Sequence, residues 1–540
     1  MCGFYGCIGK NKKSAHSLEH RGPNEYGSHI DDKLSLYQWR LSILDLNKQE
    51  LPWCNHNWWL LYNGEIYNYI ELKEELIKLG HIFKTTCDAE VVLEAFEEWG
   101  EECVNRFIGM FAIVLINRHD NNKVYAFRDI AGKKPLFYRM TNNYIEFASE
   151  IKTFDNLKYK ETEFVKYWEF CVDDETCFEN VYQIEPAYCY TFFTKSLKHK
   201  LHKRYKYFDI DDIDVNYKIT FNEAVEELDR LLKNSIELRK RSDVQIGQFL
   251  SGGWDSSLIY LMLQPDTVAY YDLKDKSRDI VDEMTRLKSA FISMSYDSKE
   301  GLQRRLPEIC YHLEMPVGHL SVPIWWALAE AMKKFKVPVV YSGEGADELF
   351  NGYTRNEIVL FENDMWYNDF KFKGYEPVRD KYLGNIIERL ARLYTRHNDS
   401  KDLDWMINTI GAVWNHNRPL HWNIKKLEFS IGLQPLLQIS DRMTMAHSIE
   451  LRCPYLDKNI IKFAFSLPSI CTWNSKKGKI ILKKLFTNKA ESIKFNMNQF
   501  LEYNSKKTGM AIPYEWYSNN VVDRSSWNKL LIQNIKEQLT

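Results

Sequence analysis

No stretch of the 540 residues approaches the roughly twenty consecutive apolar positions that a membrane-spanning helix needs. The start, MCGFYGCIGKNKK, also lacks a basic segment followed by a long apolar one. Both absences lead us to expect a soluble chain with no membrane partner. An excess of one charge is missing too. Lys and Arg total 72 against 74 Asp and Glu, so electrostatics give no case for nucleic acid, and any bound polyanion must be held locally. The eleven cysteines form no CxxC pair, show no regular spacing and are odd in number. That excludes a disulfide framework or zinc cage and points to a reducing, cytoplasmic setting. There is no internal repeat, low-complexity tract or heptad seam. What remains is a globular chain with 45% hydrophobic residues, too long for a single core.

The character of the sequence changes near its middle. Up to about residue 190 short apolar or alternating runs dominate, such as NWWLLYNGEIYNY, GMFAIVLINR and KVYAFRD, with two helical segments, ELKEELIKLG and AEVVLEAFEEWG, each closed by glycine. This predicts an α+β region rich in antiparallel pairing. A basic stretch, KSLKHKLHKRYKY, and an acidic one, DIDDID, then read as a polar connector over 193–219, between domains at 2–192 and 220–540. Thr220 and Glu223 make a capping box for a helix over 221–240. Beyond it strands (IGQFL, TVAYY, VPVVY) alternate with helices, which predicts a parallel sheet with ligands beyond the strands' carboxyl ends. The region after residue 360 reads as mostly helical.

Two glycine-rich loops leave such strand ends: SGGWDSS (251–257) and SGEGADELFNGY (342–353). In the first, Gly252 and Gly253 let backbone amides turn into one concavity. Ser251, Ser256 and Ser257 add hydroxyls, and the following helix directs its positive end there, which suits pyrophosphate. Asp255 fits an anion site only if a metal such as Mg²⁺ bridges carboxylate and phosphates. For SGG alone an ordinary strand-to-helix turn is the competing reading. The full loop resembles the pyrophosphate loop of ATP pyrophosphatases, which split ATP between the α and β phosphates; no GK[ST] makes it a Walker loop. SGEGADELFNGY resembles the second signature of the asparagine synthetase branch. The resemblance implies ATP and pyrophosphate contacts from Leu250, Ser251, Gly252, Gly253, Asp255, Ser256, Ser342 and Gly343. It also implies metal contacts from Asp255 and Asp347, and Glu344 facing the acceptor and the adenylate.

Removal of Met1 would leave Cys2 carrying both a thiol and an α-amine, whose pKa of about 8 lets it take the thiol proton. A second-position cysteine means little alone. Its company is HRGPNEYG, RLSILD, YNGEIYNY, CDAEV, RDIAGKKPLFY and FASEIK, which resemble, in order, the motifs of class II glutamine amidotransferase domains. The resemblance implies an Ntn-type αββα sandwich with Cys2 as nucleophile. It assigns Arg40 to the glutamine α-carboxylate, Glu65 and Asp88 to its α-amine, and Asn63 with the Gly64 amide to the oxyanion hole. Each residue type suits the group it would meet, with guanidinium for carboxylate, carboxylates for ammonium and fixed donors for an oxyanion.

LQPLLQISDRMTMAHSIELRCPYLD (433–457) resembles the long helical signature of asparagine synthetases, whose DR and SxExRxPxLD elements line the synthetase site. Within it His447 is expected to be structural and hydrogen-bonded. KKTGMAIP (506–513) resembles a segment that supplies a charge-stabilising lysine, which makes Lys507 the candidate and Lys506 the alternative. The implied fold is an α+β amidotransferase sandwich followed by an α/β parallel-sheet synthetase domain with a mostly helical C-terminal part. The implied reaction is glutamine-dependent amidation of aspartate through an acyl adenylate. ATP, Mg²⁺, glutamine and a carboxylate acceptor are the expected small molecules, a homodimer is a candidate assembly, and an ammonia tunnel is expected between the sites. A family member amidating another carboxylate and a non-catalytic sensor are the alternatives, and retention of the chemical groups argues against the sensor. Departures such as Asn24 in HRGPN, Leu451 and Cys453 in SIELRCP, and the short DLKDKSRD segment leave the acceptor and adenine contacts open.

Overall fold

The structure, a computed structural model, describes residues 2–9, 16–119, 123–194, 200–286, 289–353, 355–356, 385–394, 400–474, 477–492, 495–506, 512, 516–517, 521 and 523–540. Among these residues the amino-terminal half builds two antiparallel sheets. One contains β1 (Cys2–Ile8), β2 (Glu25–Ile30), β3 (Leu34–Arg40), β8 (Phe137–Met140), β9 (Ile145–Ala148) and β10 (Val181–Gln183), in the order β10-β8-β9-β1-β3-β2. The other contains β4 (Trp53–Cys54), β5 (Trp58–Ile66), β6 (Gly109–Asn117), β7 (Lys123–Arg128), β11 (Tyr188–Phe193) and β12 (Lys200–Lys206), in the order β12-β11-β7-β6-β5-β4.

Period-2 alternation sorts their side chains. Ala112, Val114 and Ile116 of β6 meet Phe4, Ile8, Leu34 and Leu36 between the sheets. Phe111, Ile113 and Leu115 face the opposite way and pack under Leu76 and Phe96 of helices Tyr69–Lys78 and Asp88–Trp99. The outer face of the first sheet, with Tyr5, Cys7, Tyr37 and Trp39, joins a core that continues into the second half.

The expected connector over 193–219 is shorter than the sequence suggested. Its basic stretch contains β12, paired antiparallel to β11 from Tyr188↔Lys206 to Phe193↔Lys200. A lysine-rich strand suits a sheet edge, where its charges discourage further pairing. The acidic stretch is also fastened, because Asp211 bonds Lys426 Nζ at 2.6 Å and Asn415 Nδ2 at 2.9 Å.

The capping box holds: Glu223 N–H donates to Thr220 Oγ1 at 3.3 Å and Thr220 N–H to Glu223 Oε2 at 2.8 Å, opening helix Phe221–Arg239. The second half has a parallel sheet of β13 (Ile246–Phe249), β14 (Thr267–Tyr271), β15 (Ala290–Met294), β16 (Val339–Tyr341) and β17 (Glu450–Arg452), ordered β15-β14-β13-β16-β17. The chain steps from β13 to β14 on one side and later to β16 on the other, so a topological switch point lies between β13 and β16. Sequence periodicity revealed neither edge strand. The segment 433–457, expected to be helical, is helix Leu433–Met445, a turn with Ser448 left-handed (φ 60°), and then β17.

Candidate active site

In the amino-terminal half, antiparallel pairing sets Cys2 opposite Arg40, and β5 brings Asn63 within reach. The Cys2 nitrogen donates to Asn63 Oδ1 at 3.2 Å. Asn63 Nδ2 is buried with no hydrogen-bond partner among the described residues, a donor that an incoming oxygen would satisfy. Gly64 follows because β5 runs close to β6: a Cβ there would stand 2.3 Å from Met110 O and 2.7 Å from Phe111 Cα. Burial pushes the Cys2 thiol up, and Arg40 opposes that shift.

Arg40 is buried and already engaged with Glu25 and with the carbonyls of Leu44 (2.7 Å), Asp45 and Asn47 (3.2 Å), so it also clamps the loop after β3. Asp88 lies in the first turn of helix Asp88–Trp99 and accepts from Tyr62 Oη at 2.6 Å and Ile66 N–H at 2.9 Å. Burial pushes its carboxyl up, and burial with the charges of Glu450 and Asp88 pushes Glu65 well up. Two buried acids close enough to raise each other suit a ligand that brings positive charge.

In the other half the two glycine-rich loops leave neighbouring strands β13 and β16 and touch, since a Cβ on Gly343 would lie 2.9 Å from Ser256 N and 3.0 Å from Asp255 Cβ. Gly252 takes φ 69°, which a side chain would strain. Ser251 N–H donates to Ser256 Oγ (3.2 Å) at the start of helix Trp254–Leu263, and Leu250 is buried beneath the loop. Asp255 and Asp347 each occupy the first turn of a helix and converge on one ammonium: Lys479 Nζ lies 2.6 Å from Asp255 Oδ2 and 2.6 Å from Asp347 Oδ1. A shared cation between two carboxylates is what a divalent metal site requires, so the donor set fits Mg²⁺. Ser342 N–H donates to Arg452 O at 3.0 Å. Glu344 lies 3.4 Å from Cys453 Sγ, and Tyr455 Oη donates to Asp255 O at 3.1 Å.

Sequence reading missed Lys479. Its signal was a lysine just before helix Ile480–Ser492, where the helix dipole disfavours a cation unless an anion pairs with it. Lys133 was also missed. It reaches from the amino-terminal half to Glu344 Oε2 (3.2 Å) and Ser440 Oγ (2.7 Å). Asp129 aims it, accepting from the backbone N–H groups of Lys133 and Lys134, both at 2.9 Å.

Lys507 lies outside the described residues. The SxExRxPxLD element borders the two glycine-rich loops through Arg452 O, which accepts from Ser342 N–H, and through Tyr455, while the guanidinium groups of Arg442 and Arg452 are engaged elsewhere. Arg442 pairs with Glu314 at 2.8 Å and donates across to Ser149 O at 3.0 Å, while Arg452 pairs with Glu450 at 2.6 Å and approaches Glu65 to 3.9 Å, so both reach the contact between halves. The position of Arg452 follows from β17, whose pairing with β16 carries it back toward β5. His447 has no side-chain hydrogen-bond partner at Nε2 among the described residues; it packs edge-on against Trp326 at 4.3 Å.

Between the halves runs a buried chain of charges. Arg21 donates to Cys2 O (3.3 Å), Glu150 (2.8 Å) and Asp441 (2.9 Å). Asp441 also bonds Lys134 at 3.1 Å, and Glu150 pairs with His20 (2.9 Å) and Lys152 (2.6 Å). A cavity of about 30 Å³ opens beside this chain, lined by Lys133, Phe137, Met315, Leu437 and Asp441 among others.

Residues 1–206 match the family described as "Glutamine amidotransferase domain", and residues 227–492 match "Asparagine synthase". The chain is 28% identical to asparagine synthetase [glutamine-hydrolyzing] 1 of Bacillus subtilis (strain 168), over 99% of this chain and 90% of that protein. It is 27% identical to synthetase 2 of the same organism, over 90% of this chain and 70% of that protein. Synthetase 3 is 24% identical, over 90% and 84%. With a buried amino-terminal cysteine facing Asn63 in one half and two glycine loops meeting at Asp255 and Asp347 in the other, the chain is an enzyme of the glutamine-hydrolysing asparagine synthetase family, a class II amidotransferase domain joined to a synthetase domain.

Proposed function

We propose that this enzyme amidates aspartate by splitting ATP between its α and β phosphates, forming a β-aspartyl adenylate, and displacing AMP with ammonia drawn from glutamine. The observation that carries the reading is the convergence of Asp255 and Asp347 on one cationic point over the glycine loop after β13. That loop supplies amides and hydroxyls for the departing pyrophosphate through Ser251, Gly252, Gly253 and Ser256, with Leu250, Ser342 and Gly343 forming its walls. Asp255 and Asp347 would hold Mg²⁺, which would neutralise charge on the phosphate oxygens. Glu344 faces the acceptor and takes a proton from the attacking ammonia, Lys133 orients Glu344, and Lys507 stabilises charge at the adenylate.

At the other site Met1 is removed, so the Cys2 nitrogen beside Asn63 becomes the α-amine that takes the thiol proton. Cys2 attacks the glutamine carboxamide, Asn63 Nδ2 and the Gly64 amide stabilise the oxyanion, and Arg40, Glu65 and Asp88 hold the two ends of the amino-acid head. Water then releases glutamate from the thioester. Incubation with Mg·ATP, glutamine and a panel of carboxylic acids, read by mass spectrometry, tests the proposal. Asparagine, AMP and glutamate in equal amounts are expected. Release of ADP overturns the adenylate, and amidation of another acid alone moves the acceptor away from aspartate.

A further inference from the structure

Lys479 is more than a bystander of the two carboxylates. Its ammonium makes equal 2.6 Å contacts to Asp255 Oδ2 and Asp347 Oδ1 and is nearly buried. The backbone is shaped to put it there. Lys479 takes a left-handed conformation (φ 55°) that is uncommon outside glycine, and its N–H is held by Phe350 O at 2.9 Å. A Cβ on Gly352 would stand 2.0 Å from Lys479 Cε and 2.2 Å from Asp347 Oδ1, and one on Gly478 would stand 1.7 Å from Asn351 O. Two glycines and a strained residue therefore make room for one lysine side chain between two acids. The segment also opens helix Ile480–Ser492, whose dipole repels a cation, so it is the carboxylates that fix the ammonium.

The charges have a consequence. Two carboxylates and one ammonium leave the pair a single net negative charge, and a free dication arriving there meets the ammonium at close range. Metal that took the two carboxylates by itself would strip the ammonium of both its partners. A nucleotide changes this, because its phosphates accept the ammonium while the metal takes over the carboxylates.

We propose that Lys479 is an internal counter-cation that keeps divalent metal off Asp255 and Asp347 until metal arrives bound to nucleotide, and is then handed to the phosphates. This rests on the nucleotide reading of the two loops given above. The test is titration of the full-length enzyme with Mn²⁺, measuring the Mn²⁺ retained with the protein in equilibrium dialysis, with and without ATP. Native enzyme should leave Mn²⁺ free when it is added alone and bind it when ATP is present. Lys479→Met should take Mn²⁺ without ATP at least about tenfold more tightly than native enzyme, and Asp347→Asn in that background should abolish the gain. Lys479→Arg, which keeps the charge, should preserve exclusion, and Lys479→Gln takes the place of the methionine variant if that one does not fold. Native enzyme that binds Mn²⁺ alone as tightly as with ATP, or a folded Lys479→Met that gains nothing, overturns the counter-cation role. Failure of native enzyme to bind Mn²⁺ even with ATP overturns the nucleotide reading instead.

Discussion

Among single residues, Cys2 and Asn63 separate the two chemistries. Cys2→Ala is expected to abolish glutamine-dependent product while leaving synthesis from added ammonium salts, measured as AMP formed with each nitrogen source. Asn63→Ala removes a buried donor that has no partner among the described residues. Glutaminase kcat should fall about 10²- to 10³-fold, the usual loss for one oxyanion donor, with ammonia-dependent turnover retained. Residues of this kind could be read in the sequence because their neighbours sit in short contiguous motifs. Lys479 and Lys133 could not be read. Their partners lie 224 and 211 positions away, and only the fold brings such pairs together. Arg40 was readable as a cation for an anion, but not as the clamp on residues 44–47 that it also is.

Secondary-structure elements were read best where periodicity was long. Helix Phe221–Arg239 begins where its Thr220 and Glu223 capping box placed it, and Thr220→Ala should lower stability by about 1 kcal/mol in urea unfolding. Elements of three to seven residues at sheet edges were misread. β17 has only Glu-Leu-Arg and exists because β16 offers it a parallel partner; β12 has the composition of a linker and the hydrogen bonds of a strand. Short strands owe their existence to tertiary pairing more than to propensity, so their sequences carry little signal. The β5–β6 contact shows the converse, since one glycine there reports a close approach. Gly64→Ala should separate the strands, lower Tm and impair glutamine hydrolysis together.

At the level of the whole molecule, stability depends on charges buried between the halves. Asp441 is buried, which alone would raise its pKa, yet Arg21 and Lys134 hold it down to about 2. A depressed acid contributes stability above its unfolded value of about 3.9 and loses it as pH falls through the folded one, so this contact should fail between about pH 4 and pH 2. Histidines act earlier. Burial holds His421 at about 3 and His447 at about 4, below an unfolded value of about 6.5. Their contribution is complete above about pH 6.5 and declines as acidity increases, by about 1.4 kcal/mol per pH unit for each. Melting curves between pH 7 and pH 4 should show Tm falling with pH, and His447→Gln should flatten the fall. Arg21→Met leaves Glu150 and Asp441 short of a partner and should cost about 3–5 kcal/mol.

Arg21 grips the carbonyl of Cys2 and, with its other nitrogens, acids rooted in both halves. Cutting the chain near residue 210 would therefore yield two fragments, each with a row of bare ions on a surface meant to stay dry. Neither fragment could be traded for a free-standing module. The seam makes the two catalysts one inheritable object.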